Sequence, residues 1–203
     1  MKPLLILLAG PNGAGKSTFH DLHLASHGIP FINADRIALE TFGNQDPETS
    51  IPAARLAEAI REDMLAEGRS FIFETVLSDP QGAKIAFLAK ARAAGYFVDA
   101  HFIGIASPAL SQARVIHRVE NGGHDVPDDK IAARYPRVMD NLRRLVPVAS
   151  RLTIYDNSET TRPHRPVACF QDGTLVGLSA EIPAWLDFLD LPSLATLATK
   201  PLP

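Results

Sequence analysis

The stretch Leu4-Leu5-Ile6-Leu7-Leu8-Ala9, followed at once by Gly10-Pro11-Asn12-Gly13-Ala14-Gly15-Lys16-Ser17-Thr18, decides the fold. The first six residues are an uninterrupted apolar run of strand length, the signature of a strand buried on both faces. The next eight satisfy the pattern G-x-x-x-x-G-K-S/T, and helical spacing begins at Lys16. A strand, a glycine-rich loop and a helix in that order make a phosphate-binding loop. Its glycines let the backbone wrap an anion closely, several N–H groups and the helix N-terminus act as donors, and Lys16 supplies a mobile positive charge. Gly10, Asn12, Gly13, Ala14, Gly15, Lys16, Ser17 and Thr18 are therefore expected to hold ATP. Ser17 is expected to coordinate Mg2+, and Thr18 to lie beside the α-phosphate.

Working outward, apolar runs rich in β-branched or aromatic residues recur at 3–9, 30–33, 70–76, 97–105 and 151–155, and helical patterns at 16–27, 51–67, 82–94 and 109–119 separate them. This alternation predicts an α/β P-loop fold, a three-layer sandwich with a parallel five-stranded sheet. In the helix over 51–67, Ala57, Ile60, Met64 and Leu65 share an apolar side, while Arg61, Glu62 and Glu67 are expected to face water. Asn121-Gly122-Gly123-His124 breaks a helix, and Val126-Pro127-Asp128-Asp129 begins another whose first turn carries two acids. Pro136 is expected to kink or restart that helix before 139–146. The region 121–147 reads as a helical lid hinged near the glycines. Asp172-Gly173, between apolar runs at 167–170 and 174–178, signals a C-terminal β-hairpin. A short helix over 183–191 and a loose tail ending Lys200-Pro201-Leu202-Pro203 follow. The expected division is a core over 1–160 and an appendage over 161–203 of the same domain.

Composition bounds the partners. A chain of 203 residues, 46% hydrophobic and 21% charged, is one compact domain, neither a disordered tail nor a repeat array. With 20 Lys+Arg against 23 Asp+Glu, the net charge of -3 creates no long-range field for nucleic acid or an anionic membrane. Neither is expected as a partner, and an anionic ligand must be held by a few placed groups. The single cysteine, Cys169, allows no intramolecular disulfide and reads as a small hydrophobe in a reducing, cytoplasmic compartment. The first apolar run is too short to span a membrane and lacks a signal-peptide cleavage pattern. His20, His23 and His27 read as polar helix positions rather than metal ligands, and His124 as a loop histidine facing water or substrate.

The loop alone does not say what becomes of the γ-phosphate. No Leu-Ser-Gly-Gly-Gln follows, Leu77-Ser78-Asp79-Pro80-Gln81-Gly82 being only a faint echo, and neither a strand ending in Asp-Glu nor an Asn-Lys-x-Asp segment is present. Transporter ATPases and GTPases lose ground. Transfer to a hydroxyl needs a carboxylate for its proton and cations for the moving phosphoryl group. Asp35, within Asn33-Ala34-Asp35-Arg36, falls at a strand's C-terminal edge, where it either acts as base or caps the next helix. Glu74 and Thr75 end the third strand, positioned for substrate or for water-mediated magnesium contact, with a buried structural glutamate as the alternative. Arg118 and Arg134 flank the glycine hinge and could converge on the phosphate when the lid closes. Arg114 and Arg137 compete with them, and spacing does not choose.

Together these residues resemble the zeta toxin family of P-loop kinases. The resemblance is carried by Gly10 to Thr18, Asn33-Ala34-Asp35, Phe71-Ile72-Phe73-Glu74-Thr75, His117-Arg118, the run from Gly122 through Arg134-Tyr135-Pro136, and Tyr155-Asp156-Asn157-Ser158. It spans about residues 4–160. It implies an ATP- and Mg2+-dependent kinase acting on a UDP-amino sugar, typically UDP-N-acetylglucosamine at its 3′-hydroxyl, which starves cell-wall synthesis. By position, Lys16 and Ser17 hold ATP and magnesium, Asp35 is the base, and Asn33, Glu74 and Thr75 contact the sugar nucleotide. The resemblance selects Arg118 and Arg134 as the pair that stabilises the transferring phosphoryl group. It also implies a proteinaceous antitoxin. Family toxins often carry a segment before the first strand, whereas here that strand begins almost at Met1, so an antitoxin contact built from such a segment is not expected. Two readings stand beside this one: a P-loop kinase of another metabolite, such as a nucleoside, gluconate or shikimate, and a nucleotide-dependent regulatory or binding protein.

Overall fold

In the computed structural model, which describes residues 2–120, 126–196 and 199–202, the strands form one sheet. The strands are β1 (Leu4–Ala9), β2 (Phe31–Ile32), β3 (Phe71–Thr75), β4 (Phe97–Gly104), β5 (Arg151–Asp156), β6 (Arg165–Gln171), β7 (Thr174–Ser179) and β8 (Lys200–Leu202), in the spatial order β2-β3-β1-β4-β5-β6-β7-β8. The first five are mutually parallel, β6 and β7 are antiparallel additions, and β8 runs parallel to β7. The sheet thus has eight strands rather than five. The expected hairpin is attached at the sheet edge: β6 pairs with β5 along its length, because the unpaired backbone of β5 must find partners when buried. The tail is likewise strand rather than loose chain. Gly177, which has no side chain, leaves room for Leu202 to pack over β7.

The helices are α1 (Lys16–Phe19), which continues through a π turn over His20–Leu24, then α2 (Ala34–Phe42), α3 (Pro47–Ala66), α4 (Ala83–Ala93), α5 (Pro108–Glu120), α6 (Asp128–Leu145) and α7 (Leu191–Leu194). One face of the sheet packs Leu5, Leu7, Phe71, Phe73, Val98 and Phe102 against apolar groups of α3, α4 and α6. The other packs Ile6, Leu8, Ile72 and Ile103 against Phe19 and Leu24. The period-2 alternation along each strand divides the two sets.

Two local readings change. Helix α6 runs without a break through Pro136. Ile131 before the proline and Val138, Leu142 and Leu145 after it are buried, so packing on both sides outweighs the missing N–H. Arg61 does not face water. It is only 6% exposed, with its guanidinium stacked 5.1 Å from the Phe73 ring centre. An aromatic face and a long apolar stem accommodate arginine on the apolar side of α3, four residues after Ala57 and three before Met64, where its charge alone would assign solvent. The glycine hinge at 121–125, with His124, lies outside the described residues.

Candidate active site

The site gathers at the C-terminal tips of β1, β2 and β3, the edge where open α/β sheets bind ligands. Gly10, Gly13 and Gly15 all adopt positive φ. At Gly10 the constraint is also spatial, since a Cβ would lie 2.0 Å from the Ile103 carbonyl oxygen. The loop leads into α1, so that Lys16 and Ser17 sit in the first helical turn.

Lys16 is buried, and its Nζ donates to the Pro11 carbonyl at 3.0 Å and lies 3.7 Å from Glu74 Oε1. Burial pushes its pKa below the ordinary lysine value, with Glu74 and Asp35 opposing that shift and Arg118 adding to it. A lysine held by one carbonyl and a carboxylate is ready to exchange them for phosphate oxygens.

Glu74 is the hub. Its Oε2 accepts from Ser17 Oγ at 3.1 Å and from Asn33 Nδ2 at 2.9 Å. The two readings of Asp35 separate cleanly, because Asn33, not Asp35, is the N-cap of α2. The Asn33 Oδ1 accepts from the backbone N–H groups of Asp35 and Arg36 at 2.8 and 3.0 Å. Asp35 is thereby released from capping duty and lines the cleft in the first turn, where the helix dipole favours its charge. Thr75 lines the same cleft while its Oγ1 accepts from the Leu77 N–H.

The cleft has a volume of about 330 Å³. Asn12, Asn33, Asp35, Glu74, Thr75, Arg118 and Arg134 all line it. Arg118 arrives on α5, and Arg134 arrives on α6 with Nη1 3.5 Å from Asn12 Oδ1. The rivals go elsewhere. Arg114 donates to the Ser158 carbonyl, and Arg137 donates to the carbonyl one turn back in its own helix. Sequence reasoning missed Arg61 and Lys84, which also line the cleft. Arg61 carried the signal of an apolar-side position in α3, with aromatic residues on the facing strand. A second hollow of about 470 Å³ continues the cleft past Thr75, bounded by Lys84, Lys130, Arg134 and Arg137 with Asp79 and Asp129.

The site offers hard oxygen ligands for a small divalent cation. Ser17 Oγ and Glu74 Oε2 lie side by side, 3.1 Å apart, and these two are the residues that could hold magnesium. The other singled-out polar groups have local partners. His20 stacks on Phe31 with ring centres 3.8 Å apart, His27 Nδ1 meets the Leu24 carbonyl, and Cys169 is half-buried on β6. No helix among the described residues is long and apolar enough to cross a membrane.

Comparisons with known proteins bear on the fold and the family. An uncharacterized protein of Haemophilus influenzae is 29% identical over 135 residues, which is 66% of this chain and 94% of that protein. Among solved structures, the PezAT toxin-antitoxin system of Streptococcus pneumoniae superposes with a TM-score of 0.59 at 21% identity, covering 83% of this chain and 72% of the other. The AvrRxo1-ORF1:-ORF2 complex with ATP gives a TM-score of 0.66 at 16% identity over 96% of this chain and 65% of its counterpart. At such identities these likenesses establish the fold. The sequence model of the zeta toxin family matches residues 1–166, the whole span from the first strand to the start of β6, and the chain belongs to the zeta toxin family.

Proposed function

We propose that this protein is an ATP-dependent kinase that transfers the γ-phosphoryl group to a hydroxyl of a UDP-amino sugar such as UDP-N-acetylglucosamine, with a toxin-like role held in check by a protein antitoxin. One observation carries the reading: a carboxylate relieved of capping, Asp35, shares a single cleft with Asn12 of the phosphate loop and with arginines from two different helices.

In this reading Lys16 leaves the Pro11 carbonyl for the β- and γ-phosphates, and the loop N–H groups hold the same anion. Ser17 would hold Mg2+, with Glu74 reaching it directly or through water, and the ion would supply positive charge that offsets that of the phosphates. Asp35 accepts the proton of the attacking hydroxyl. Asn33, Glu74 and Thr75 orient the sugar. Arg118 and Arg134 neutralise charge on the phosphoryl group in flight, and their location on separate helices ties that service to closure of α6 over the cleft. The basic hollow past Thr75, with Lys84, Lys130 and Arg137, has the size and sign for the acceptor's diphosphate. With Asp79 and Asp129 offsetting part of that charge, the hollow favours an anionic acceptor over a neutral nucleoside.

The test is incubation with Mg-ATP and a panel of UDP-sugars, nucleosides and sugar acids, with products read by mass spectrometry. A phosphate added to a UDP-amino sugar is the expected result; transfer only to another acceptor would overturn the substrate assignment.

A further inference from the structure

The phosphate loop is fastened by two side chains that lie far outside the loop's own motif. The hydroxyl of Ser111, on α5 and fully buried, donates to the Asn12 carbonyl at 2.5 Å. The amide of Asn157, at the end of β5, donates from Nδ2 to the Ala14 carbonyl at 2.9 Å. The orientation of that amide is set independently, because its Oδ1 accepts from the backbone N–H of His164 at 3.0 Å. The approach is close on both sides. A Cβ on Gly13 would stand 2.8 Å from the Ser111 carbonyl oxygen, and one on Gly15 would stand 2.6 Å from Asn157 Nδ2.

The consequence follows from the planar trans peptide, in which C=O and the next N–H point in opposite directions. Holding the Asn12 oxygen against α5 turns the Gly13 N–H away from α5, and holding the Ala14 oxygen against Asn157 turns the Gly15 N–H away from β5. Both peptides end in a glycine at positive φ, the residue type least able to resist rotation of its own peptide. Without the two donors, either peptide could rotate and present a carbonyl oxygen to the phosphate. Lys16, the third group that holds the loop, binds the Pro11 carbonyl and must leave when phosphate arrives, so it cannot keep the loop in shape through the reaction.

We infer that Ser111 and Asn157 are positioning residues for phosphate binding, pinning the Asn12–Gly13 and Ala14–Gly15 peptides so that two N–H donors face the nucleotide. The inference rests on the reading that the loop holds a nucleotide.

Calorimetry on the full chain tests it, with Mg-ATP, ADP and adenosine as probes. Removing one pin is expected to weaken ATP and ADP about ten-fold in Ser111→Ala and in Asn157→Ala, the scale of one lost hydrogen bond. Asn157→Asp keeps the shape and the bond to His164 but puts an acceptor where a donor stood, and a larger loss is expected. Adenosine, which carries no phosphate, should bind all variants as it binds the parent; a merely structural role would lower adenosine affinity in step. If the parent binds Mg-ATP and all three variants match it, the assignment is overturned while the nucleotide reading survives. If the variants lose adenosine and ADP equally, the assignment is again overturned, in favour of a structural role. A parent that binds no Mg-ATP overturns the nucleotide reading and this assignment with it.

Discussion

Two carboxylates stand at strand tips on one edge of the sheet with β1 and β4 between them, Glu74 near the end of β3 and Asp156 at the end of β5, and they are nearly equally sheltered, at 12% and 9% side-chain exposure. Their partners differ in kind. Asp156 accepts from the Ser158 N–H and hydroxyl, from Trp185 Nε1 and from Arg165 Nη2, all within the chain's C-terminal part. Trp185 is itself seated over Gly104, where a Cβ would collide with its ring at 2.0 Å. Glu74 is met instead by Ser17, Asn33 and Lys16, groups that also line or build the phosphate site. The one carboxylate closes a structural joint; the other holds partners that a ligand can take over. Burial and charge do not separate a site from a scaffold, whereas the alternative employment of the partners does.

That contrast can be broken experimentally. Arg134→Ala, on the exchangeable side, should cost about 10³-fold in phosphoryl transfer with an unchanged thermal midpoint, the scale of removing a cation from the moving phosphoryl group. Steady-state kinetics beside a melting curve would show it. On the structural side, Asp156→Ala should lower unfolding free energy by about 3 kcal/mol, since it removes the acceptor shared by the part-buried Trp185 N–H, the Ser158 N–H and hydroxyl, and one Arg165 contact. Denaturant titration measures that loss, and turnover per folded molecule should fall far less than for Arg134→Ala.

A third carboxylate sharpens the structural side further. Burial alone would raise the Asp99 carboxyl, but His101 and the Arg151 guanidinium more than offset it and hold the pKa at about 2, against 3.8 in an isolated chain. The folded value is depressed, so the associated stability is present above pH 3.8 and is lost as pH falls toward 2. Asp99→Asn should remove roughly 2 kcal/mol at neutral pH and flatten the acid limb of a stability-against-pH curve. Smallest is Ser158→Ala, which deletes only the hydroxyl donated to Asp156; about 1 kcal/mol of stability is expected to go, read by the shift in denaturation midpoint.

Much of the active half was legible because its chemistry is local in sequence. The phosphate loop, Asp35 and Glu74 each sit where an apolar run stops, and a strand's end marks the ligand edge of a parallel sheet. The rest is brought together by topology. Ser111 and Asn157 lie 99 and 143 residues from the loop carbonyls they hold, and nothing in the words around them announces that contact. Spacing does not separate Arg118 and Arg134 from Arg114 and Arg137; the family resemblance selects them, and both line the cleft. Lys200-Pro201-Leu202 resembles a frayed end, with a proline that cannot donate a ladder bond; it becomes a strand because β7 has an unpaired edge and Gly177 leaves a hollow for Leu202.

The central claim is that the tips of β1, β2 and β3 perform phosphoryl transfer with Asp35 as the base. Its most direct test is Asp35→Asn, assayed for Mg-ATP binding by calorimetry and for phosphate transfer to UDP-N-acetylglucosamine by mass spectrometry. The account predicts nucleotide affinity within about two-fold of the parent and transfer reduced about 10³-fold, the range of a lost general base. Transfer persisting at the parent's rate in Asp35→Asn would contradict it.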